Sequence, residues 1–330
     1  MGGIVGLGGG IGGSRLWRAL AAVVDPAELT LVVNTADDMW MHGLRICPDL
    51  DTTLYALSGR QDPLRGWGVR DESFQAMQAL RDLGEPVWFH LGDRDLATHL
   101  ARTGMLAGGA GLTEITRRLA TAMGVRARVL PMTEQEVATR IETTDGAELH
   151  YEEFLVRHAA QPTVRRVCYQ GIENAVPTPD VVRSIAEADL VVLGPSNPLA
   201  SITPILSLPG VADAVRATSA PVVAVTPIVT GVPIVDAGEH RRAISRAALL
   251  RSIGKPATAS AVAELYQDLC QTYVIDLADA DEADIVRGCG IKPVVVSTLL
   301  ARDPGTSLVD MLLAVRRARP TGGLRTMEAR

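Results

Sequence analysis

Four aspartates lie close together near the start of the chain, directly after the apolar segment 29–34. Asp37, Asp38, Asp49 and Asp51 fall within fifteen positions. Ligands of open α/β sheets bind at the carboxyl ends of strands, and carboxylates there would repel a phosphate unless a cation lay between them. Magnesium held by one or two carboxylates and by substrate phosphates resolves that conflict. We therefore predict a Mg²⁺ site at Asp37 and Asp51, with Mn²⁺ as the alternative metal, and we interpret Asp49 as a helix cap.

The first thirteen residues include eight glycines, and five of these directly follow the short apolar run 3–7. Residues 8–13 match the pattern G-x-G-x-x-G between a predicted strand, 3–7, and a predicted helix, 13–24. Backbone N–H groups at such a helix start bind phosphate, and glycine lets the phosphate oxygens approach. A tight turn without a ligand is the alternative. We predict phosphate contacts at Gly9, Gly10, Gly12 and Gly13.

A second loop of this kind follows the apolar segment 189–194. Its sequence, GPSNP, fixes the turn with two prolines and offers polar groups from Ser196 and Asn197. Two such loops at one edge of a parallel sheet, with carboxylates between them, favour a cleft for a phosphorylated ligand over two purely structural turns.

A charged segment, LGDRDLATH, marks the start of a helix at 91–99. Its polar residues are compatible either with a capping cluster or with a binding site, and the spacing alone does not separate the two. These residues are Asp93, Arg94, Asp95 and His99.

The elements that must position these residues are parallel βαβ units, because short apolar runs alternate with longer helical patterns. Residues 51–124 are predominantly helical, and two alternating runs flank Asp145-Gly146, a hairpin turn expected at one edge of the sheet. We predict a doubly wound, mostly parallel, Rossmann-like α/β sheet with a helical subdomain and a small antiparallel insert. One domain would span residues 1–318, followed by a disordered tail at 319–330.

Composition excludes several classes of protein. The chain has 330 residues, is 47% hydrophobic, and carries a net charge of −6, which gives no general basic field for nucleic acid. The absence of a long apolar stretch or a signal pattern predicts a cytoplasmic protein without a membrane partner. Ser14-Arg15 after the glycines excludes a Walker P-loop, and Asn34 at the end of the second strand counts against an NAD-dependent oxidoreductase. The four scattered cysteines form no zinc or disulfide pattern.

Together these stretches resemble the CofD family, the 2-phospho-L-lactate transferases of coenzyme F-420 biosynthesis, and most closely its actinobacterial branch, FbiA. The resemblance covers residues 8–206 in the family's order and continues more weakly to about residue 276. It rests on GGGIGGSRL, NTADDMWMHGLRICPDLDTTLYAL, RGWG, LGDRDLATHL and GPSNPLASITPIL.

The resemblance implies a transferase with a defined pair of substrates. A phospho-three-carbon acid, 2-phospholactate or phosphoenolpyruvate, would move from a guanylylated diphosphate donor (LPPG or EPPG) to the ribityl hydroxyl of the deazaflavin Fo. GMP would leave, and the product would be coenzyme F-420-0 or its dehydro form. Members use a divalent metal and are typically homodimers.

The resemblance also implies residue roles. The glycine loop, Ser196 and Asn197 would hold the guanosine diphosphate, and Asp37 and Asp51 would hold the metal, one of them accepting the ribityl proton. We expect Asp51→Asn to abolish turnover and to leave the fold intact. The residues assigned to Fo are Asp51, Trp40, His90, Arg94 and His99, with Trp67 nearby.

The stretch after TPIV departs from the family's usual sequence. After the segment TPIV, Arg241 and Arg242 supply the only nearby positive charge.

The runner-up function is that of the related YvcK-like regulators, which bind a nucleotide sugar. Those proteins lack the PDLDT, RGWG and LGDRDLATH stretches that this chain carries.

Overall fold

The computed structural model describes residues 3–300 and 306–318, so the predicted disordered tail at 319–330 lies outside the described residues. Single turns of 3₁₀ helix occur at Pro26–Glu28 and Ile172–Asn174, a longer 3₁₀ segment with a kink at Asp279 occurs at Leu277–Glu282, and π-helical turns occur at Glu153–Arg157 and Pro198–Ile202. The strands are β1 (Ile4–Gly8), β2 (Leu29–Val33), β3 (Met39–Met41), β4 (Leu44–Ile46), β5 (Arg128–Pro131), β6 (Ala138–Thr143), β7 (Glu148–His150), β8 (Val164–Gln170), β9 (Leu190–Leu193), β10 (Val222–Val225), β11 (Thr272–Ile275) and β12 (Lys292–Val295). The helices are α1 (Gly10–Ala21), α2 (Pro48–Leu57), α3 (Gln75–Asp82), α4 (Asp93–Ala107), α5 (Leu112–Ala122), α6 (Pro179–Ala186), α7 (Thr203–Ser207), α8 (Val211–Ala217), α9 (Ala237–Ser252), α10 (Ala259–Leu265), α11 (Ala283–Gly288) and α12 (Thr306–Arg317).

Seven parallel strands form the central sheet, in the order β12-β11-β10-β9-β1-β2-β5. Strand β1 pairs with β2 on one side and with β9 on the other. Successive strands are therefore added from β1 towards β5 on one side and from β9 towards β12 on the other, and the strand order reverses between β1 and β9. Such a reversal opens a crevice at the carboxyl ends of the two strands. The predicted doubly wound sheet is confirmed, although the sequence patterns predict neither β5 nor β11.

Helices cover both faces of this sheet, which is why its strands read as continuous apolar runs. On one face α1, α2, α5 and α12 pack around a core that includes Trp17, 1% exposed, and Ile115. On the other face α6, α8, α10 and α11 pack around residues such as Val181 and Val262. Burial of each such side chain contributes roughly 1.5–3 kcal/mol to folding.

The helical region lies between β4 and β5 and contains α2 to α5. Helix α2 begins at Pro48, slightly before the predicted start at residue 51. The antiparallel hairpin of β3 and β4 precedes it and was not predicted. This hairpin packs with α3 and α4 around a small separate core that includes Met77 and Leu91.

The antiparallel insert is a three-stranded sheet of its own, in the order β7-β6-β8. Its predicted turn is present, and Gly146 adopts a φ of 90° there. The second predicted run becomes helical after His150, so β8 rather than a longer β7 completes the sheet. Thr139 N–H donates to the Ala36 carbonyl at 2.6 Å, which ties the insert to the loop after β2. Tyr151 and Glu152 are thereby placed against the crevice.

Within the ranges that the structure describes, no single helix is long and apolar enough to cross a membrane. The segments Pro198–Ser207 and Val211–Ala217 meet that criterion only as a pair, by length and composition, and they are bent by 87°.

Candidate functional site

A cavity of about 770 Å³ lies at the point where the strand order reverses. Both predicted loops line it, together with residues from α2, α4, the insert and α9. The predicted site residues that line it are Gly9, Gly10, Gly12, Asp37, Asp51, His90, His99, Ser196 and Asn197. Three others, Gly13, Trp40 and Arg94, do not line it.

The two loops are bound directly to each other. The Gly9 N–H donates to Ser196 Oγ at 3.0 Å, and the Ser196 hydroxyl donates to the Gly9 carbonyl at 2.8 Å. The Asn197 side chain caps the following π-helical turn by accepting from the N–H groups of Leu199 and Ala200, each at 3.1 Å. Both polar side chains of the second loop are thus used to fix the shape of the cleft.

Close packing within the protein also explains the glycines of the first loop. A Cβ on Gly9 would lie 1.9 Å from Asp49 Oδ2, and one on Gly12 would lie 2.1 Å from the Pro195 carbonyl oxygen. Helix α1 starts at residue 10 rather than 13, so Gly12 and Gly13 lie inside its first turns. The glycines therefore let the protein's own atoms approach, and phosphate binding by this loop stays a prediction.

Asp49 is bound to the start of α1 and not to its own helix. The Gly10 N–H donates to Asp49 Oδ1 at 2.7 Å, whereas α2 has Cys47 at its N-cap and no side-chain cap. A carboxylate at a helix N-terminus is favoured by the helix dipole. The interpretation of Asp49 as the cap of its own helix is wrong, because its carboxylate points across the cleft to the other helix.

Three buried carboxylates form one group, which we call the acid cluster: Asp37, Asp49 and Glu152. The Asn34 amide donates to both Asp37 Oδ2 and Asp49 Oδ2 at 3.0 Å. Burial, followed by the charge of Asp49, raises the pKa of Asp37 well above its usual range. Burial raises the pKa of Asp49 to about 6 and, together with the charge of Asp49, that of Glu152 to about 8. Asp37 Oδ1 is buried without a hydrogen-bond partner. Oxygen ligands that repel one another suit a hard divalent cation.

Asp51 belongs to a different group of side chains. The Arg102 guanidinium donates to Asp51 Oδ1, and this pair is almost fully buried. His99 lies between two carboxylates, with Nδ1 at 3.5 Å from Asp51 Oδ2 and Nε2 at 3.3 Å from Asp95 Oδ1. The Tyr55 hydroxyl donates to Asp95 Oδ1 at 2.7 Å. Asp51 Oδ2 itself accepts no hydrogen bond.

Asp37 and Asp51, the two predicted metal ligands, have different hydrogen-bond partners. Among the described residues, no hydrogen bond or ion pair joins Asp37 to Asp51. Both carboxylates line the cavity, but Arg102 already balances the charge of Asp51, while Asp37 forms no ion pair within residues 3–300 and 306–318. Metal binding by either residue stays a prediction, and the structure places the unbalanced charge at Asp37.

The LGDRDLATH segment serves both purposes that its spacing allows. Asp93 caps α3 by accepting from the Gln75 and Ala76 N–H groups at 3.0 Å. Arg94 faces away from the cavity and donates to the Arg70 carbonyl at 2.9 Å. Asp93 therefore caps α3 and not its own helix, whose N-cap Gly92 has no side-chain cap, and the following turns of α4 supply the residues that reach the cavity.

The aromatic wall of the cavity differs from the one predicted. Trp40 is half exposed on the β3–β4 hairpin and donates through Nε1 to Glu136 at 2.9 Å, outside the cavity. Trp67 and Trp88 line the cavity together with His90. Trp88, to which the sequence analysis gives no role, is therefore available to a flat ligand.

Two important residues were missed, for different reasons. Arg102 follows Asp95 and His99 at the spacing i, i+4, i+7, which places all three on one face of a helix, so the pattern could have identified it. Glu152 has no such signal, because its position depends on how the insert packs against the main sheet.

Comparison with known proteins adds family information to this geometry. Residues 4–287 match a family model described as 2-phospho-L-lactate transferase CofD. A phosphoenolpyruvate transferase of Mycolicibacterium smegmatis is 39% identical over 311 residues, covering 90% of this chain and 92% of that protein. A protein of the same name from Kitasatospora aureofaciens is 40% identical over 294 residues, covering 87% and 89%. A crystal structure of protein BH3568 of Bacillus halodurans, a UPF0052 family member, has a TM-score of 0.62 at 18% identity, covering 94% of this chain and 98% of that one. At that identity it supports the fold alone.

Proposed function

This chain belongs to the CofD family of phosphoenolpyruvate and 2-phospho-L-lactate transferases, and we propose that it transfers phosphoenolpyruvate to the deazaflavin Fo. The donor would be the guanylylated diphosphate EPPG, and the products would be GMP and the dehydro form of coenzyme F-420-0. The enolpyruvyl donor is chosen over the lactyl donor because the relatives at 39% and 40% identity are named phosphoenolpyruvate transferases.

The reaction forms one phosphorus–oxygen bond and breaks another. The terminal ribityl hydroxyl oxygen of Fo attacks the phosphorus that carries the enolpyruvyl group, and the bond from that phosphorus to the GMP oxygen breaks. GMP leaves with the bonding electrons, and the hydroxyl proton passes to a protein carboxylate. Transfer of this kind depends on positioning and charge neutralisation rather than on a covalent nucleophile.

The observation that carries this proposal is the set of residues that line the cavity at the strand reversal. Its acid cluster lies beside the start of α1, and the same cavity presents Trp67, Trp88 and His90. Aromatic side chains bind the faces of flat rings. A cavity of about 770 Å³ falls in the range that holds small-molecule ligands. The deazaflavin rings would lie against the two tryptophans, with the ribityl chain directed toward the carboxylates.

The residues present fit a divalent cation, Mg²⁺ or alternatively Mn²⁺. Asp37 would hold it, because its Oδ1 atom is buried without a partner and its carboxylate has no cation beside it. Asp49, fixed by the Asn34 amide, adds negative charge next to Asp37. When bound, the ion would neutralise charge on the reacting phosphates.

Asp51 is the carboxylate that would accept the ribityl proton. Arg102 donates to its Oδ1 atom, which fixes the orientation of the carboxylate. Its Oδ2 atom accepts no hydrogen bond, so this atom is available to the substrate hydroxyl. Asp51 would then orient the hydroxyl as well as receive its proton.

The experiment is a mass-spectrometric assay with purified protein, Fo, Mg²⁺ and the guanylylated donors of enolpyruvate, lactate and glycerate. We expect GMP release and an Fo adduct with the enolpyruvyl donor. An adduct with the lactyl donor alone would change the donor assignment. No adduct from folded protein with any donor would contradict the transfer and favour a YvcK-like nucleotide-sugar-binding regulator. The resemblance also implies a homodimer, which light scattering of the purified protein would detect.

A further inference from the structure

One wall of the cavity carries more positive than negative side chains. Helix α1 and the N-terminal part of α9 form this wall. Its cations are Arg15, Arg241, Arg242 and Arg246, and its anions are Asp236 and Glu239.

Both anions of this wall are already engaged. Glu239 accepts from Arg242 Nε at 3.1 Å and from Arg246 Nη2 at 2.7 Å. Asp236 caps α9 by accepting from the Glu239 N–H at 2.6 Å, and it lies 3.5 Å from Arg242 Nη2. Arg246 Nε is buried and has no hydrogen-bond partner. The wall therefore holds more guanidinium donors than its own carboxylates satisfy.

Arg15 is not paired with a carboxylate within the described residues, although the charges of Glu239 and Asp236 partly offset the effects that lower its pKa. It is half-buried, lines the cavity, and makes no hydrogen bond or ion pair within the part of the chain that the structure describes. Burial, followed by the charge of Arg242, lowers the pKa of its guanidinium. An unpaired charge held in this way costs folding free energy, and an anion bound in the cavity would offset that cost.

Part of the neighbouring backbone is already engaged. The N–H groups of Gly9 and Gly10 already donate to Ser196 and Asp49. Arg15 lies on the same helix as Gly10, little more than one turn further along. A guanidinium can donate two parallel hydrogen bonds to one phosphate or carboxylate.

We infer that Arg15, supported by Arg241 and Arg242, forms an anion subsite that binds an oxyanion of the donor. The inference rests on the proposed function and specifies how the same cavity recognises its substrate. The oxyanion is either the diphosphate of the nucleotide or the carboxylate of the three-carbon acid, since both present paired oxygens to the arginine fork.

The test measures ligand affinity by calorimetry for the wild type and for Arg15→Gln, with GDP, guanosine and the EPPG donor as probes. The matched control is Arg18→Gln, because Arg18 lies on the same helix, is exposed, and does not line the cavity. If the subsite binds the diphosphate, Arg15→Gln should weaken GDP about 10- to 100-fold and leave guanosine unchanged. If it binds the carboxylate, GDP affinity should hold and EPPG affinity should fall by that factor.

Unchanged affinity for both GDP and EPPG in Arg15→Gln would overturn the subsite. A wild type that binds neither GDP nor EPPG would instead contradict the proposed function, so the two failures are distinguishable. The melting temperature of Arg15→Gln should equal or exceed that of the wild type, because the substitution removes an unpaired cation next to Arg242. A lower melting temperature would assign Arg15 a structural role.

Discussion

Replacing Arg102 with methionine should strongly destabilise the protein, because it leaves a buried carboxylate without its cation. The side chains of Arg102 and Asp51 are only 1% and 5% exposed. Arg102 also donates to the Arg45 carbonyl at 3.3 Å and lies 3.2 Å from His99 Nδ1. Removing one partner of such a buried pair costs about 3–5 kcal/mol of the free energy of unfolding.

The measurement is the melting temperature from calorimetry in metal-free buffer. For a chain of this length, a loss of 1 kcal/mol lowers the melting temperature by about 2 °C, so Arg102→Met should melt about 6–10 °C below the wild type. The matched control is Arg117→Met, whose ion pair with Glu114 is 66% and 48% exposed. Exposed pairs of this kind contribute little, and the control should melt with the wild type.

A double-mutant cycle separates the pair from other effects of the substitution. Asp51→Asn alone leaves Arg102 buried and unpaired, so we expect it to lose stability as well. The expectation from sequence that Asp51→Asn leaves the fold intact stays a prediction, to which the structure adds an expected loss of stability. The variant with both changes should lose less than the sum of the two single losses. An Arg102→Met protein within about 2 °C of the wild type, or an additive cycle, would refute the reasoning.

Three further changes test the glycine loop and the acid cluster. Gly9→Ala puts a methyl group 1.9 Å from Asp49 Oδ2, so we expect thermal unfolding to report a loss of about 1–3 kcal/mol. Gly104→Ala, which meets nothing within 4 Å, should gain up to about 1 kcal/mol instead. The folded-state pKa of Glu152, about 8, lies above its unfolded value, so the folded state favours the protonated side chain. This contribution to the free energy of unfolding is complete at acidic pH and is lost as pH rises to about 8. Urea titrations in EDTA should follow this loss, at up to about 1.4 kcal/mol per pH unit, and a Glu152→Gln variant that keeps the full slope would contradict the assignment. Asp37→Asn removes a repelled carboxylate, so its melting temperature in EDTA should hold or rise while Mg²⁺-dependent turnover falls at least about 100-fold; a normal rate would exclude Asp37 from the chemistry.

The sequence predicts the strands of the central sheet other than β5 and β11, because strands that are buried on both faces leave continuous apolar runs. It fails for β3 and β4, which have only three residues each and are too short to establish an alternating pattern. It also fails for β8, whose outer residues are charged or exposed. Short and exposed strands depend on their partners, which local sequence does not name.

The candidate site was predicted at the level of segments and less well at the level of contacts. Asp37, Asp51 and His99 line one cavity, as residues at the carboxyl ends of strands and at helix starts are expected to do. The sequence could not indicate that Arg102 balances Asp51 or that Asp49 reaches Gly10. Those pairings follow from how α1, α2 and α4 pack, and charge spacing along the chain carries little information about packing between helices.

The hydrogen bonds between Gly9 and Ser196 have a consequence for folding during synthesis on the ribosome. The two residues are 187 positions apart. At 5–20 residues per second, Ser196 is made roughly 10–40 s after Gly9. Until then β1, an inner strand of the finished sheet, lacks its partner β9, the middle strand, and has one open edge. The nascent chain thus spends much of its synthesis with the centre of its sheet unfinished, and the cleft is completed only when the second half of the chain arrives.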